Sequence, residues 1–314
     1  MSLPHEIRLG TRQSALALAQ TDLFAAALLA AWPALQGRIR VMPMATTGDI
    51  ISDKPLYDIG GKALFCRELD QALLDGKIDL AVHSLKDVPT ELPEGLCLAA
   101  VLPRADCHDV LVSRDGTLLH HLPEGAVVGT ASPRRRAILA AGFPHLLLRP
   151  VRGNVPTRLQ MVEDGHVDAV VLAHAGLQRL GLTARITSVL APEVMLPAAT
   201  QGIIAAVCRT DDRRLQQLLG AINDKTAWTQ ALCERAFLAV LDGSCRTPIS
   251  ALADIQDDAS AQMTLHGLLA APDGSKIFRV RLRGSMAEPQ DLGHHAGQQI
   301  LTAAGADFMA MIRG

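Results

Sequence analysis

The stretch Ala126-Val127-Val128-Gly129-Thr130-Ala131-Ser132-Pro133-Arg134-Arg135-Arg136-Ala137-Ile138-Leu139 passes from a short apolar strand through polar residues into a helix opening at Pro133. Pro133 suits the first helical position, where its missing N–H costs nothing. Working outward, the same strand-to-helix step recurs. Strands are expected near Val110–Val112, Leu146–Leu148 and Ala169–Leu172, with helices starting near Pro156 and Ala175. Upstream, a strand at Ile7–Leu9 leads into a helix from about Gln13 to Ala31. A strand at Arg38–Ala45, a helix at Ala63–Leu74 and strands at Leu80–Val82 and Leu96–Val101 follow. Short apolar strands alternating with amphipathic helices read as α/β. Pro103-Arg104-Ala105-Asp106 marks a crossing between domains, because a new series begins after it. Beyond Asn223 the pattern changes to a long helix, a glycine and serine turn bearing Cys245, three strands with a hairpin at Pro272-Asp273-Gly274-Ser275, and one or two final helices. No internal repeat is visible.

The chain has 314 residues, 49% of them hydrophobic, enough for two or three cores. A formal net charge of -2 and 3% aromatic residues give no global field for nucleic acid and little for bases to stack on. The N-terminus lacks a signal-peptide pattern, and the best apolar run, Ala15 to Trp32, is broken by Gln20, Thr21 and Asp22. A cytoplasmic protein without membrane partners is expected. The six cysteines lie far apart with no zinc-ligand spacing, so no disulfide framework and no metal is expected.

Charged residues gather where the strands end. Arg12 and Ser14 follow the first strand, and His83, Ser84, Lys86 and Asp87 follow Leu80–Val82. Thr130, Ser132, Arg134, Arg135 and Arg136 follow Ala126–Gly129, and Arg149, Arg152 and Arg158 surround the end of Leu146–Leu148. Ligands of α/β sheets sit at the carboxyl ends of strands, and arginine forks fit carboxylates. A ligand with many carboxylates is expected.

The stretch Ala81-Val82-His83-Ser84-Leu85-Lys86-Asp87-Val88-Pro89 closely resembles the signature of the porphobilinogen deaminase family. So do Thr46-Thr47-Gly48-Asp49, Gly60-Gly61-Lys62-Ala63-Leu64-Phe65, Arg152-Gly153-Asn154-Val155, Leu172-Ala173-His174-Ala175-Gly176-Leu177 with Arg179, Leu196-Pro197 with Gln201-Gly202, Glu234-Arg235-Ala236, and Gly243-Ser244-Cys245 with Pro248-Ile249. The resemblance covers nearly the whole chain. It implies three domains, two like the lobes of type II periplasmic binding proteins (1–102 with 199–222, and 103–198) and a small C-terminal α/β domain with an antiparallel sheet (223–314).

The resemblance also implies a transferase that joins four porphobilinogen molecules head to tail on a covalent dipyrromethane, losing ammonia each time, and releases hydroxymethylbilane with water. Cys245 would carry the dipyrromethane through a thioether. Asp87 would be the catalytic carboxylate, stabilising the cationic azafulvene formed as ammonia leaves and binding a pyrrole N–H. Arg12, Ser14, Lys62, Lys86, Thr130, Ser132, Arg134, Arg135, Arg152, Gly153, Asn154, Arg158, Arg179 and Gln201 would bind cofactor and substrate, with Phe65 near the reacting ring. A monomer is implied.

Four positions depart from the family's pattern: Ala131, Pro133, Pro156 and Thr200. Pro156 removes an N–H that could meet a carboxylate, and Thr200 stands where glycine would enter positive φ cheaply. Two readings compete, a two-lobed anion receptor without chemistry and a nucleic-acid binder built on Arg134, Arg135 and Arg136. The absent signal peptide disfavours the first and the net charge the second.

Overall fold

The computed structural model describes residues 3–46, 66–241, 247–255 and 261–313. In chain order the strands are β1 (Ile7–Arg12), β2 (Ile39–Met44), β3 (Leu80–Ser84), β4 (Leu96–Val101), β5 (Asp109–Ser113), β6 (Val127–Gly129), β7 (Leu147–Arg149), β8 (Ala169–Ala173), β9 (Ser188–Leu190), β10 (Ile204–Arg209), β11 (Ile249–Asp254), β12 (Gln262–Ala270) and β13 (Ile277–Ser285). The helices are α1 (Ala15–Ala31), α2 (Arg67–Leu74), α3 (Pro133–Gly142), α4 (Val155–Glu163), α5 (His174–Arg179), α6 (Arg213–Leu219), α7 (Lys225–Val240) and α8 (Pro289–Arg313). The chain divides into two compact units, parting between Ala105 and Asp106, between Gln201 and Gly202, and between Trp228 and Thr229.

The first unit holds a sheet of order β2-β1-β3-β10-β4, with β1 parallel to β2 and β3, and β10 antiparallel to β3 and β4. Ala17, Thr21, Phe24 and Leu28 recur at helical spacing on α1, so one face of that helix is buried. Phe24 and Leu28 pack with Ile7, Leu9, Leu80, Val82 and Ile204 of the sheet, each contributing about 1.5–3 kcal/mol by leaving water.

The second unit repeats this order as β7-β6-β8-β5-β9. Alternate residues feed two cores: Leu111, Val128, Ala169 and Val171 on one face, Val110, Val112, Val170 and Leu172 on the other. Burial on both faces explains why these strands read as unbroken apolar runs. The same unit contains the antiparallel sheet β11-β12-β13, packed on Cys233, Phe237 and Leu241 and on Leu292, Ala296 and Ile300 of α8.

Both five-stranded sheets are therefore mixed. The run Val110–Val112, expected to open a strand-to-helix step, is instead the antiparallel strand β5, followed by a 3-10 turn at Leu119–His121. In each sheet the antiparallel strand is the first one after a crossing of the chain: β5 after Asp106, β10 after Gly202. The crossing segments bond to one another, since Leu102 N donates to Ile204 O at 3.0 Å and Ala105 N to Gly202 O at 3.2 Å. Gly202 has φ +92, and a Cβ there would stand 2.5 Å from Ala105 O, so only glycine allows this approach. The final helix is interrupted at Gly305 (φ 77, ψ 162).

Candidate functional site

In the first unit β3 runs two residues further than expected, so His83 and Ser84 belong to the strand and a 3-10 turn, Leu85–Asp87, ends it. Leu85 N donates to Ile203 O at 2.9 Å and the Cys66 thiol donates to Asp87 O at 3.3 Å, which pins the turn from both sides. The turn sets Asp87 in the wall of a cavity of about 60 Å³, together with Arg12, Ser14, Gln20, His83 and Ser84. Among the described residues no ion pair or side-chain hydrogen bond engages the Asp87 carboxylate. Gln20 Nε2 donates to Ser84 Oγ at 2.7 Å, and Ser14 Oγ accepts from Ala17 N at 3.3 Å as the cap of α1. Burial, helped by the Arg12 charge, pushes the His83 imidazole down to about 4, so it is neutral at physiological pH. Lys86 is half-buried in the same turn.

In the second unit the polar residues divide by role. Ser132 and Asn154 cap α3 and α4, accepting from Arg135 N at 3.4 Å and from Thr157 N at 2.9 Å. Pro133 is the first residue of α3, as expected, and Thr130 Oγ1 accepts from Ser132 N at 3.2 Å. Gly153 holds φ +97 against Thr157, whose side chain a Cβ would meet at 2.8 Å. Pro156 lies in the first turn of α4, where backbone N–H groups have no partner within the helix, so it breaks no helical bond.

Arg134 and Arg135, expected to bind ligand carboxylates, are buried against an acid that the sequence reading passes over. Arg134 Nη1 and Arg135 Nη2 each stand 2.7 Å from Asp109, and Gln201 Nε2 donates to the same carboxylate at 2.9 Å. Burial alone would raise the Asp109 carboxyl, but the two guanidiniums outweigh it and hold the group well below the ordinary carboxylate range. Gln201 also donates to Cys107 O at 2.8 Å, so its amide is engaged inside the protein. The signal for Asp109 lay in the sequence: a charge at the head of an apolar strand is buried only when paired.

Arg152, Arg158 and Arg179 are half-buried. Burial and the like charges of Arg135 and Arg152 push Arg158 down to about 10, and burial does the same to Arg179; both remain cationic at neutral pH. The buried Nε of Arg134 has no acceptor among the described residues. Crowded cations and an unmatched N–H fit a group that brings carboxylates. Cys245, Lys62 and Phe65 lie outside the described residues, as do Thr47, Gly48 and Asp49. Among the described residues no cluster of His, Cys, Asp and Glu could hold a metal, and no helix is long and apolar enough to cross a membrane.

Residues 7–217 match the model of the family described as porphobilinogen deaminase, dipyromethane cofactor binding domain, and residues 228–302 match that of the porphobilinogen deaminase C-terminal domain. The chain belongs to the porphobilinogen deaminase family. It is 49% identical over 302 residues to the porphobilinogen deaminase of Sorangium cellulosum, covering 95% of this chain and 99% of that one. With the Paracoccus denitrificans enzyme it shares 46% identity, covering 96% of each. The chloroplastic porphobilinogen deaminase of Oryza sativa is 45% identical over 96% of this chain and 85% of its own. Among solved structures, the periplasmic VFT2 domain of Bordetella pertussis BvgS is similar with a TM-score of 0.41 and 16% identity, over 69% of this chain and 86% of that one. A porphobilinogen deaminase (EC 2.5.1.61) acts in tetrapyrrole biosynthesis with a dipyrromethane cofactor. The competing readings give way to this assignment. Arg134 and Arg135 are too deeply buried to meet a nucleic acid, and only Arg136 of that run is exposed.

Proposed function

We propose that the chain condenses four porphobilinogen molecules head to tail, each losing ammonia, and then releases hydroxymethylbilane by hydrolysis. The dipyrromethane, joined by a thioether to Cys245, supplies the pyrrole on which the new bonds are made. The observation that carries this reading is the convergence on one cavity of Arg12, Ser14 and Asp87, whose carboxylate has no partner among the described residues.

Asp87 accepts the pyrrole N–H of a bound ring and faces the positive charge that develops as ammonia departs, a role that requires an anion fixed before the charge appears. Arg12 offers its fork to a substrate carboxylate, and Ser14 keeps its hydroxyl proton for an acceptor because its oxygen is the capping atom. His83, neutral and buried, adds no competing charge to the cavity wall. Arg152, Arg158 and Arg179 take acetate and propionate groups, with Lys62, Lys86 and Phe65 completing the set. Thr130, Ser132, Gly153, Asn154 and Gln201 act through the turns and caps they build. Arg134 and Arg135 anchor this region through Asp109 while Arg134 Nε remains for an acceptor. The enzyme works as a monomer of three domains, 1–102 with 199–222, 103–198, and 223–314.

Intact mass tests the assignment of the cofactor. The purified protein should exceed its sequence mass by two porphobilinogen units less two ammonia molecules, with peptide mapping placing the addition on Cys245. Cys245→Ser should fold without the addition. A fully active protein at the bare sequence mass overturns the reading.

A further inference from the structure

We propose that Cys97 and Cys208 form a redox-active dithiol that closes to a disulfide by exchange with a low-molecular-weight disulfide. Cys97 lies on β4, at the edge of the first sheet, and Cys208 stands directly opposite it on the antiparallel neighbour β10. Residues opposed in this way point their side chains to one face, with Cα atoms about 4.5–5.5 Å apart. That lies inside the roughly 4.4–6.8 Å span that a disulfide bridges. The two sulfurs are 3.9 Å apart, and both face the carbonyl of Arg209, at 4.0 Å from Cys97 and 3.4 Å from Cys208. Rotation about the side-chain bonds is enough to bring them together.

The two thiols differ in access. Cys97 is half-buried, whereas Cys208 is fully buried with Ile204, Ala206 and Leu215. Burial, with Cys97 and Asp212 nearby, pushes the Cys208 thiol up to about 12 against the opposing charge of Arg209. The accessible partner therefore reacts first. The Cys97 thiolate attacks the external disulfide, forming a mixed disulfide and expelling one thiolate. The Cys208 thiolate then attacks the Cys97 sulfur and expels the second. Two cysteine thiols and one disulfide become one internal disulfide and two released thiols, which take up the two protons. The bond would join β4 to the returning strand β10 and enclose residues 98–207 in a covalent loop, restricting the unfolded chain far more than the folded one.

The test treats the holoenzyme with oxidised glutathione, counts thiols by alkylation, and maps peptides without reduction. The expected result is a loss of two alkylatable thiols, a peptide pair joined through Cys97 and Cys208, a melting midpoint raised by a few degrees, and reversal of all three by dithiothreitol. Cys97→Ser should show no link and no shift on oxidation, while Cys107→Ala should close as the wild type does. A stable glutathione adduct on Cys97 without closure, a link through another cysteine, or an unchanged thiol count overturns the proposal.

Discussion

Asp87 follows the lysine of a short turn and precedes Val88-Pro89, a setting that by itself describes a loop cap. Its place in the cavity wall, with no partner for its carboxylate among the described residues, is what separates it from such a cap. In the proposed role, this half-buried carboxylate beside Arg12 and Ser14 would meet charge that arrives with the ligand. Asp87→Asn keeps the shape, removes the charge and should lower the chemical step about a hundredfold or more, with the protein still folded. Asp87→Glu should retain more activity than Asn, although an error of about an ångström can itself cost on the order of a hundredfold. Single-turnover kinetics on protein shown by mass to carry its cofactor makes the comparison. Equal rates for wild type and Asp87→Asn would move the role to another acid.

Two departures from the family's pattern behave oppositely at the level of the elements that contain them. Pro156 sits in the first turn of α4 beside the cap Asn154, where its fixed φ suits the helix. Thr200 has φ +59, a conformation that costs a β-branched residue about 1–3 kcal/mol. The surroundings enforce it: Thr200 N donates to the buried Glu234, whose other oxygen accepts from Ala253 N on β11 at 2.8 Å. Thr200→Gly should therefore raise the stability by about 1 kcal/mol after the flexibility of glycine in the unfolded chain is allowed for. Pro156→Gly should lower it by about the same amount. Denaturant midpoints decide, and a loss in the first variant would show that the strain is repaid by contacts of the threonine. The sequence foreshadowed the Thr200 problem and the helical start at Pro133, because local backbone rules act within a few residues. It did not reveal that Arg134, Arg135 and Gln201 converge on Asp109, because Gln201 lies 92 residues from that acid. Nor could a strand-end pattern tell an arginine aimed at a ligand from one paired inside.

At the scale of the whole molecule, the family resemblance implied two like lobes, but the residue pattern alone did not show that both five-stranded sheets repeat one strand order. The antiparallel strand in each comes from a different point of the chain, so the shared order leaves no fixed sequence period. The third sheet was legible because its strands are consecutive and the hairpin turn at Asp273–Ser275 is local. Stability against pH is also a property of the whole fold, and two buried groups of the first unit should oppose each other in it. His83 has its value depressed from 6.5 to about 4, so the unfolded chain binds the extra proton between those values and the fold loses stability as pH falls. Asp70, raised from 3.8 to about 6 by burial and by Glu68, binds its proton more readily in the folded state, and the fold gains stability as pH falls through that window. Each shift corresponds to about 3 kcal/mol, so between pH 6 and 4 the two nearly cancel. The variants separate them. Asp70→Asn should leave the His83 slope exposed, with stability falling by about 3 kcal/mol from pH 6.5 to 4, while His83→Gln should leave the opposite slope of Asp70. His266, depressed by burial and then by Arg281, adds to the His83 direction in all three proteins and drops out of the comparison. Urea midpoints at half-unit steps of pH give the slopes, and parallel curves for the two variants would show that neither group titrates as its surroundings dictate.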